Sequence, residues 1–383
     1  MRTQSVPNRR RRRVVVKENV YEEKLEDIVR PLLDWYQKNK RVLPWREQKN
    51  PYYIWISEIM LQQTRVEAVK PYFQRFITAL PTVEDVACCD EAKLLKLWEG
   101  LGYYNRVRNI QKAAQKVAER YDGKLPADYE ELLGLPGIGD YTAGAVASIA
   151  FNIPVPAVDG NVLRVISRVI ENEEDILKQK VKNRIRAQLL EIMPKDVPGE
   201  FNQALMELGA TVCVPNGIPK CEQCPLADLC GARIHDRLDE IPVRKKIKER
   251  RIEEKTVLII QDGDKVAIRK RPPKGLLAGL YELVNFEGHL DEQQVLERMN
   301  EYQLTTLRIL PLEQSKHIFS HVEWRMIGYV VKVAALEGNE KNDMMFVDIR
   351  HAEEKYPVPA AFGAYAAYMN MRLGQDKYTG GEL

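Results

Sequence analysis

The sequence predicts a multidomain chain, an all-α part followed by a smaller α+β part. Three observations carry that expectation. Leu25, Ile28, Val29, Leu32, Leu33 and Tyr36 recur at three and four, the spacing of one apolar helix face. Residues 135–161, LPGIGDYTAGAVASIAFNIPVPAVDGN, read as a glycine hairpin that opens one helix, then a connector stiffened by Pro154 and Pro156 that leads to another. Beyond residue 255 the pattern changes: residues 256–260 and 266–271 flank the turn signal DGDK as the strands of a β-hairpin would. A chain of 383 residues allows two or three cores, and 45% hydrophobic content is ordinary for them.

Composition narrows the class. The net charge of +3, from 58 basic and 55 acidic residues, is nearly balanced, so any nucleic-acid surface must come from local clustering. No apolar run approaches the roughly 20 residues of a membrane span, and the first residues lack the apolar core of a signal peptide. This reads as a soluble intracellular protein with no membrane partner. Six cysteines suit that compartment: four fall at Cys213, Cys221, Cys224 and Cys230 in metal-ligand fashion, leaving Cys88 and Cys89 adjacent and reduced.

Residues 1–20 hold five consecutive arginines (9–13) and almost no apolar partner, which gives a disordered basic arm. The arm would add phosphate affinity or act as a plain solvated tail. The helical part is expected over 21–231. Within it Glu58 is flanked by Ile54, Trp55, Ile56, Ile59, Met60 and Leu61. A carboxyl group buried there would have its ionised form disfavoured and suit a general acid; a lone helical glutamate can equally face water. Gly137 and Gly139 let main-chain N–H groups approach an anion at a helix start, a phosphate seat. Asp159 and Asn161 arrive at the next helix, where Asp159 is a nearby carboxylate or merely a cap.

The cysteine window 213–230 contains only one C-x2-C knuckle, Cys221 with Cys224, whereas tetrahedral zinc sites usually pair two; zinc and free thiols stay open on spacing alone. Residues 232–255 are charged and read as a linker, lying along DNA or simply solvated. The α+β part is expected over 256–368, with a helix near 292–302 and strands at 325–333 and 344–348, and 369–383 as a tail. As isolated residues, Phe319 reads as core and His321 as a strand end.

LPGIGDYTAGA followed by VDGNVLR resembles the helix-hairpin-helix and catalytic aspartate of the endonuclease III superfamily of base-excision DNA glycosylases. LPWR (43–46), SEIMLQQT (57–64) and WEGLGYYNRVRN (98–109) extend the resemblance to its adenine-specific branch, the MutY-type adenine DNA glycosylases. The resemblance implies an extruded adenine, protonated at N7 by Glu58, with Asp159 stabilising the positive charge that grows on the sugar or bonding briefly to its anomeric carbon. Tyr141 and Asn161 would position Asp159 and the water, and Trp45 and Arg46 would line the pocket. Gln63, Thr64, Leu101 and Tyr103 would face the strand or wedge into the stack, and Gly137 and Gly139 would grip a phosphate. Endonuclease III has a lysine where this chain has Tyr141, and a phenol cannot form the Schiff base of a lyase. The expectation is a monofunctional enzyme that leaves an intact abasic site.

The four cysteines resemble the [4Fe-4S] loop of the superfamily, although the first gap holds seven residues (214–220) where the family usually has six. RPPKGLLAGLYELV (271–284) resembles the opening of a Nudix fold, with Tyr281 and Val284 where tryptophan and proline are common. The following HLDEQQVLERMNEY lacks the paired glutamates that hold Mg²⁺ on a diphosphate, so the domain should bind without hydrolysing. In this family it reads 8-oxoguanine opposite adenine through Phe319, Ser320 and His321, the serine hydroxyl testing N7–H and O8. The implied partner is double-stranded DNA carrying an adenine:8-oxoguanine or adenine:guanine mispair, met by a monomer in the bacterial cytoplasm. The rival readings are a bifunctional lyase, opposed by Tyr141; a non-catalytic lesion binder, opposed by Glu58 with Asp159; and a Nudix hydrolase, opposed by the missing metal helix.

Overall fold

The structure, a computed structural model, describes residues 25–245, 249–334, 340–341 and 343–374. The arginine run and the tail beyond residue 374 lie outside the described residues. Helices come first: α1 (Val29–Asn39), α2 (Pro51–Leu61), α3 (Val66–Ala79), α4 (Val83–Cys88), α5 (Glu91–Leu97), α6 (Asn105–Arg120), α7 (Tyr129–Leu133), α8 (Asp140–Phe151), α9 (Gly160–Val169), α10 (Gln179–Ile192), α11 (Pro198–Thr211) and α12 (Gly231–Ile234). A mixed sheet follows, built from β1 (Arg251–Asp262), β2 (Lys265–Lys270), β3 (Tyr281–Glu287), β4 (Thr306–Ile318), β5 (Val322–Val333), β6 (Glu340–Lys341) and β7 (Met344–Asp348). Helix α13 (Glu292–Glu301) lies between β3 and β4, and α14 (Ile349–Lys355) follows β7. The order, helices and then a mixed sheet with helices, is the fold class expected. Among the described residues no helix is long and apolar enough to cross a membrane.

The chain divides into two packing units. One holds residues 25–40 and 158–245; the other joins 41–157 to the chain from 249 onward. In the first, α1 and α11 share a core with α9 through Ile28, Leu32, Tyr36, Val162, Ile166, Phe201 and Leu205. In the second, Leu280 from the sheet-bearing part is buried in the same cluster as Trp55, Phe76 and Trp98.

Among the described residues of 232–255, expected as a linker, lie a buried anchor and the start of a strand. Ile241 is buried, and its carbonyl accepts from Arg168 Nε at 2.8 Å. Strand β1 begins at Arg251, exposed at first and continuously buried from Lys255 to Ile260. A few apolar anchors among many charges hid both elements.

The sheet order is β4-β5-β1-β3-β2-β7-β6. β1 runs parallel to β5, from Arg251 opposite Val322 to Gln261 opposite Lys332. The expected hairpin of β1 and β2 pairs only at its tip, Gln261 with Val266 and Asp262 with Lys265, because β3 enters between them. β5 starts at Val322 rather than at 325, which leaves residues 319–321 as the turn after β4. On α13, Val295 and Met299 are buried while Glu292, Glu297 and Glu301 are exposed.

Candidate active site

Helix α2 is apolar on nearly every side, with Ile54, Trp55, Ile56, Ile59 and Met60 all buried. It can start because Pro51 needs no N–H partner in the first turn and the Asn50 side chain accepts from Tyr52 N at 2.9 Å. Glu58 sits in this run at 6% exposure, so it does not face water. Its Oε2 accepts a hydrogen bond from the phenol of Tyr141, in the first turn of α8. A carboxyl group placed among apolar side chains, with one hydroxyl donor aimed at it, is suited to carry a proton to a base.

The hairpin before α8 takes the shape its glycines require. Gly137 has φ of +73°, and a Cβ there would lie 2.5 Å from Asn109 Cβ. Gly139 is the N-cap of α8 and brings no side chain to the helix end. No side chain caps this end, and the partial positive charge of the helix start favours an anion there. Asp140, also in that turn, accepts from Tyr129 Oη at 2.9 Å.

Asp159 turns out to be both cap and candidate carboxylate. Its Oδ1 accepts from Val162 N at 2.8 Å as the N-cap of α9, and its Oδ2 accepts from Asn161 Nδ2 at 2.7 Å. The Asn161 amide is itself oriented, since its Oδ1 accepts from Arg164 Nη2 at 2.8 Å. Arg164 also donates to Gly209 O at 2.8 Å and to Cys213 O at 2.7 Å. A Cβ at Gly209 would come within 2.6 Å of Asn161 Cβ, so α11 reaches α9 at this point only as glycine. Burial pushes the Asp159 carboxyl above its ordinary range, opposed by the donors from Val162 and Asn161 and by the Arg164 charge.

One step further along α9, Arg168 Nη1 donates to Cys213 Sγ at 3.2 Å, while Cys230 Sγ lies 3.4 Å from Arg168 O. Burial pushes the thiols of Cys224 and Cys230 up to about 12 and about 11, and the neighbouring thiols add to it. Cys221 moves the same way, first through burial and then through Cys213. Four mutually repelling sulfurs beside a buried guanidinium are a donor set that a cationic, thiolate-ligated group would relieve. Among the described residues no three or more His, Cys, Asp or Glu side chains gather so as to hold one metal ion.

In the second unit, Tyr103 and Ser320 meet. Tyr103 is 48% exposed, with φ of +48°, a conformation that a bulky side chain adopts at a cost. Its hydroxyl lies 2.7 Å from Ser320 Oγ. Both line a cleft of about 730 Å³, together with Leu101, Phe319 and His321. Phe319 is half-buried, its ring edge-on to Trp324 at 4.9 Å and to His317 at 4.7 Å, so it packs on the core as well as lining the cleft. Leu101 is buried at 5% and leaves Tyr103 as the exposed member of that loop.

Gln63 is exposed with φ of +63°, and Thr64 N donates to Leu61 O at 3.3 Å to close the turn after α2. Arg106 holds this turn and the Leu101–Tyr103 loop together: Nη1 donates to Ile59 O and Gln62 O at 2.7 Å each, and Nη2 to Leu101 O at 2.9 Å and Gly102 O at 3.2 Å. Its guanidinium also lies over the rings of Trp98 and Tyr103. Trp45 is packed in the helical core at 5.3 Å from Phe73, and Arg46 Nη1 donates to Arg41 O at 3.4 Å.

Sequence reasoning passed over Arg106, Arg164 and Arg168. For the last two a signal existed: VLRVISRV places two arginines four apart on a helix whose residues are buried on every side. For Arg106 there was none, because α6 carries several other cations.

Residues 56–191 match the HhH-GPD superfamily of base excision DNA repair proteins, and residues 256–367 match the NUDIX domain. The adenine DNA glycosylase of Rattus norvegicus is 35% identical over 367 residues, covering 81% of this chain and 70% of the relative. That of Buchnera aphidicola is 35% identical over 295 residues, covering 76% and 82%. Among solved structures, a thermostable thymine-DNA glycosylase is 29% identical with a TM-score of 0.50, covering 57% of this chain and 98% of its own.

Proposed function

Since the chain belongs to the adenine DNA glycosylases, a family of base-excision DNA repair enzymes, we propose that it removes adenine mispaired with 8-oxoguanine or guanine and leaves the strand intact. The observation that carries this reading is Tyr141, a phenol where the lyase branch has its lysine, donating to the buried Glu58. Schiff-base chemistry needs an amine at that place. Glu58 delivers a proton to N7 of the extruded adenine, which makes the base a leaving group. Asp159, ionised and held by Val162 N and Asn161, stabilises the cationic sugar. Tyr141 holds the Glu58 carboxyl, and Asn161, with its amide set by Arg164, orients Asp159 and the attacking water. Gly137 and Gly139 offer main-chain N–H groups to the backbone phosphate.

Recognition of 8-oxoguanine is assigned to Ser320, with Phe319 and His321 beside it and Tyr103 as the wedge; the shared cleft supports this. The mispaired DNA meets one copy of the chain. The domain limits proposed are 21–231 for the glycosylase part with its cysteine loop and 256–368 for the Nudix-like part. Cys213, Cys221, Cys224 and Cys230 would hold a [4Fe-4S] cluster, which when bound stiffens the loop on which Lys220 stands. Arg164 then serves both the cysteine loop and the Asp159 end of the helix, through Cys213 O and Asn161 Oδ1.

The test is a single-turnover assay on a duplex with one adenine opposite 8-oxoguanine, the products split with and without alkali, beside Asp159→Asn. Alkali-dependent scission that vanishes in the variant is expected. Scission without alkali would instead mean a lyase, and binding without excision a lesion-binding protein.

A further inference from the structure

Glu99 is a carboxylate with no exposed surface, next to the loop that carries Tyr103. Burying such a charge is costly unless both oxygens find donors. Here the donors come from two directions. Oε2 pairs with Lys96 Nζ at 2.8 Å, at the end of α5, and Oε1 accepts from Val358 N at 3.0 Å, in the segment after α14. Lys96 Nζ also donates to Tyr356 O at 2.7 Å. Residues 356–358 are anchored in turn to the sheet: Tyr281 N, at the start of β3, donates to Pro357 O at 3.1 Å, and the rings of Tyr281 and Tyr356 meet at 4.6 Å. The cleft wall continues from there, through Pro359 to Ala361, opposite the Gly100–Tyr104 loop.

Glu99 and Lys96 thus join the loop bearing the wedge to the part of the chain bearing the reader. Neither lines the cleft itself. We propose that this buried pair is a specificity-determining clasp: it fixes the separation of Tyr103 and Ser320, and through it the discrimination of the base opposite adenine, without touching DNA. The inference rests on the reading that the cleft recognises 8-oxoguanine. Loosening the clasp should cost the contact that needs both sides and spare the excision chemistry.

The experiment measures single-turnover excision from adenine:8-oxoguanine and adenine:guanine duplexes by the full-length protein, Glu99→Gln and Lys96→Met. The ratio of the two rates is taken on one preparation, so it does not depend on the fraction folded. In both variants the ratio should fall about tenfold while the adenine:guanine rate stays within about twofold of the parent, as loss of one charged hydrogen bond at a positioning contact allows. An unchanged ratio overturns the proposal, as does a parallel fall in both rates, which would mean a merely structural pair. If the parent protein shows no preference between the duplexes, the functional reading itself fails, and that result is distinct from failure of the clasp.

Discussion

Replacing Arg106 with methionine keeps much of the side-chain length and removes a guanidinium that bridges two strained loops. Five main-chain carbonyls, of Ile59, Met60, Gln62, Leu101 and Gly102, lose a hydrogen bond, and Gly102 O keeps only the one from Trp98 Nε1 at 3.1 Å. A hydrogen bond to a charged group contributes about 1.5–3 kcal/mol, but a half-buried site lets water replace part of it, so the net loss is roughly 3–5 kcal/mol. For a unit of this size that corresponds to a melting temperature lower by about 10 °C. The positive φ values at Gln63 and Tyr103 make the effect functional as well, since each loop can relax once its tie is gone. A shift of about 1 Å in Tyr103 should slow excision opposite 8-oxoguanine by about a hundredfold. Arg106→Lys, with one compact ammonium in place of the planar fork, cannot reach both loops and should recover less than half of either loss. Calorimetry and single-turnover excision check both numbers. A methionine variant that melts within about 1 °C of the parent and excises within about twofold would refute the claim that this side chain holds the loops.

Asp159→Asn should abolish excision and raise the melting temperature at neutral pH. The folded-state pKa of Asp159 is raised by burial, so the cost of its charge is present above that pKa and disappears as pH falls through it. The difference in melting temperature between variant and parent should accordingly shrink toward acid pH, which a melting series from neutral to acid pH would follow. Arg164→Leu leaves Asn161 Oδ1, Gly209 O and Cys213 O without their donor and should lower both the excision rate, by about tenfold or more, and the iron content of the purified protein. Gly137→Ala forces a Cβ against Asn109 and a left-handed backbone, at about 1–2 kcal/mol, and should weaken binding to a duplex without base preference; fluorescence anisotropy reads it.

Much of the candidate site stands out in the sequence because unusual residues fall in unusual places. A glutamate in an apolar helix, two glycines before a helix start and four cysteines in a short window each break the local pattern. What stayed hidden were side chains whose partners are main-chain carbonyls far along the chain, such as Arg106 with Ile59 and Arg168 with Ile241. A carbonyl has no sequence signature. Trp45 and Leu101 are both buried, Leu101 while lining the cleft, and an aromatic or leucine reads the same in a sequence on either side of a wall. β3 was missed because its neighbours β1 and β2 look like a closed hairpin, and only the sheet order reveals the gap that β3 fills.

The first packing unit is discontinuous in the chain, and this has a consequence for synthesis. Helix α1 is made early, but the helix it packs on, α11, begins only at Pro198, and Tyr36 finds Gln203 across 167 residues. During that interval the stripe of Ile28, Leu32 and Tyr36 waits unburied, a liability on the ribosome. The helices from 41 to 157 emerge in between and can pair with one another at once, through short-range contacts such as α4 on α6. A nascent chain that ends before Pro198 already contains Asp159, yet lacks the Gly209 backbone and the Cys213 carbonyl that hold Arg164, and with it Asn161, in place.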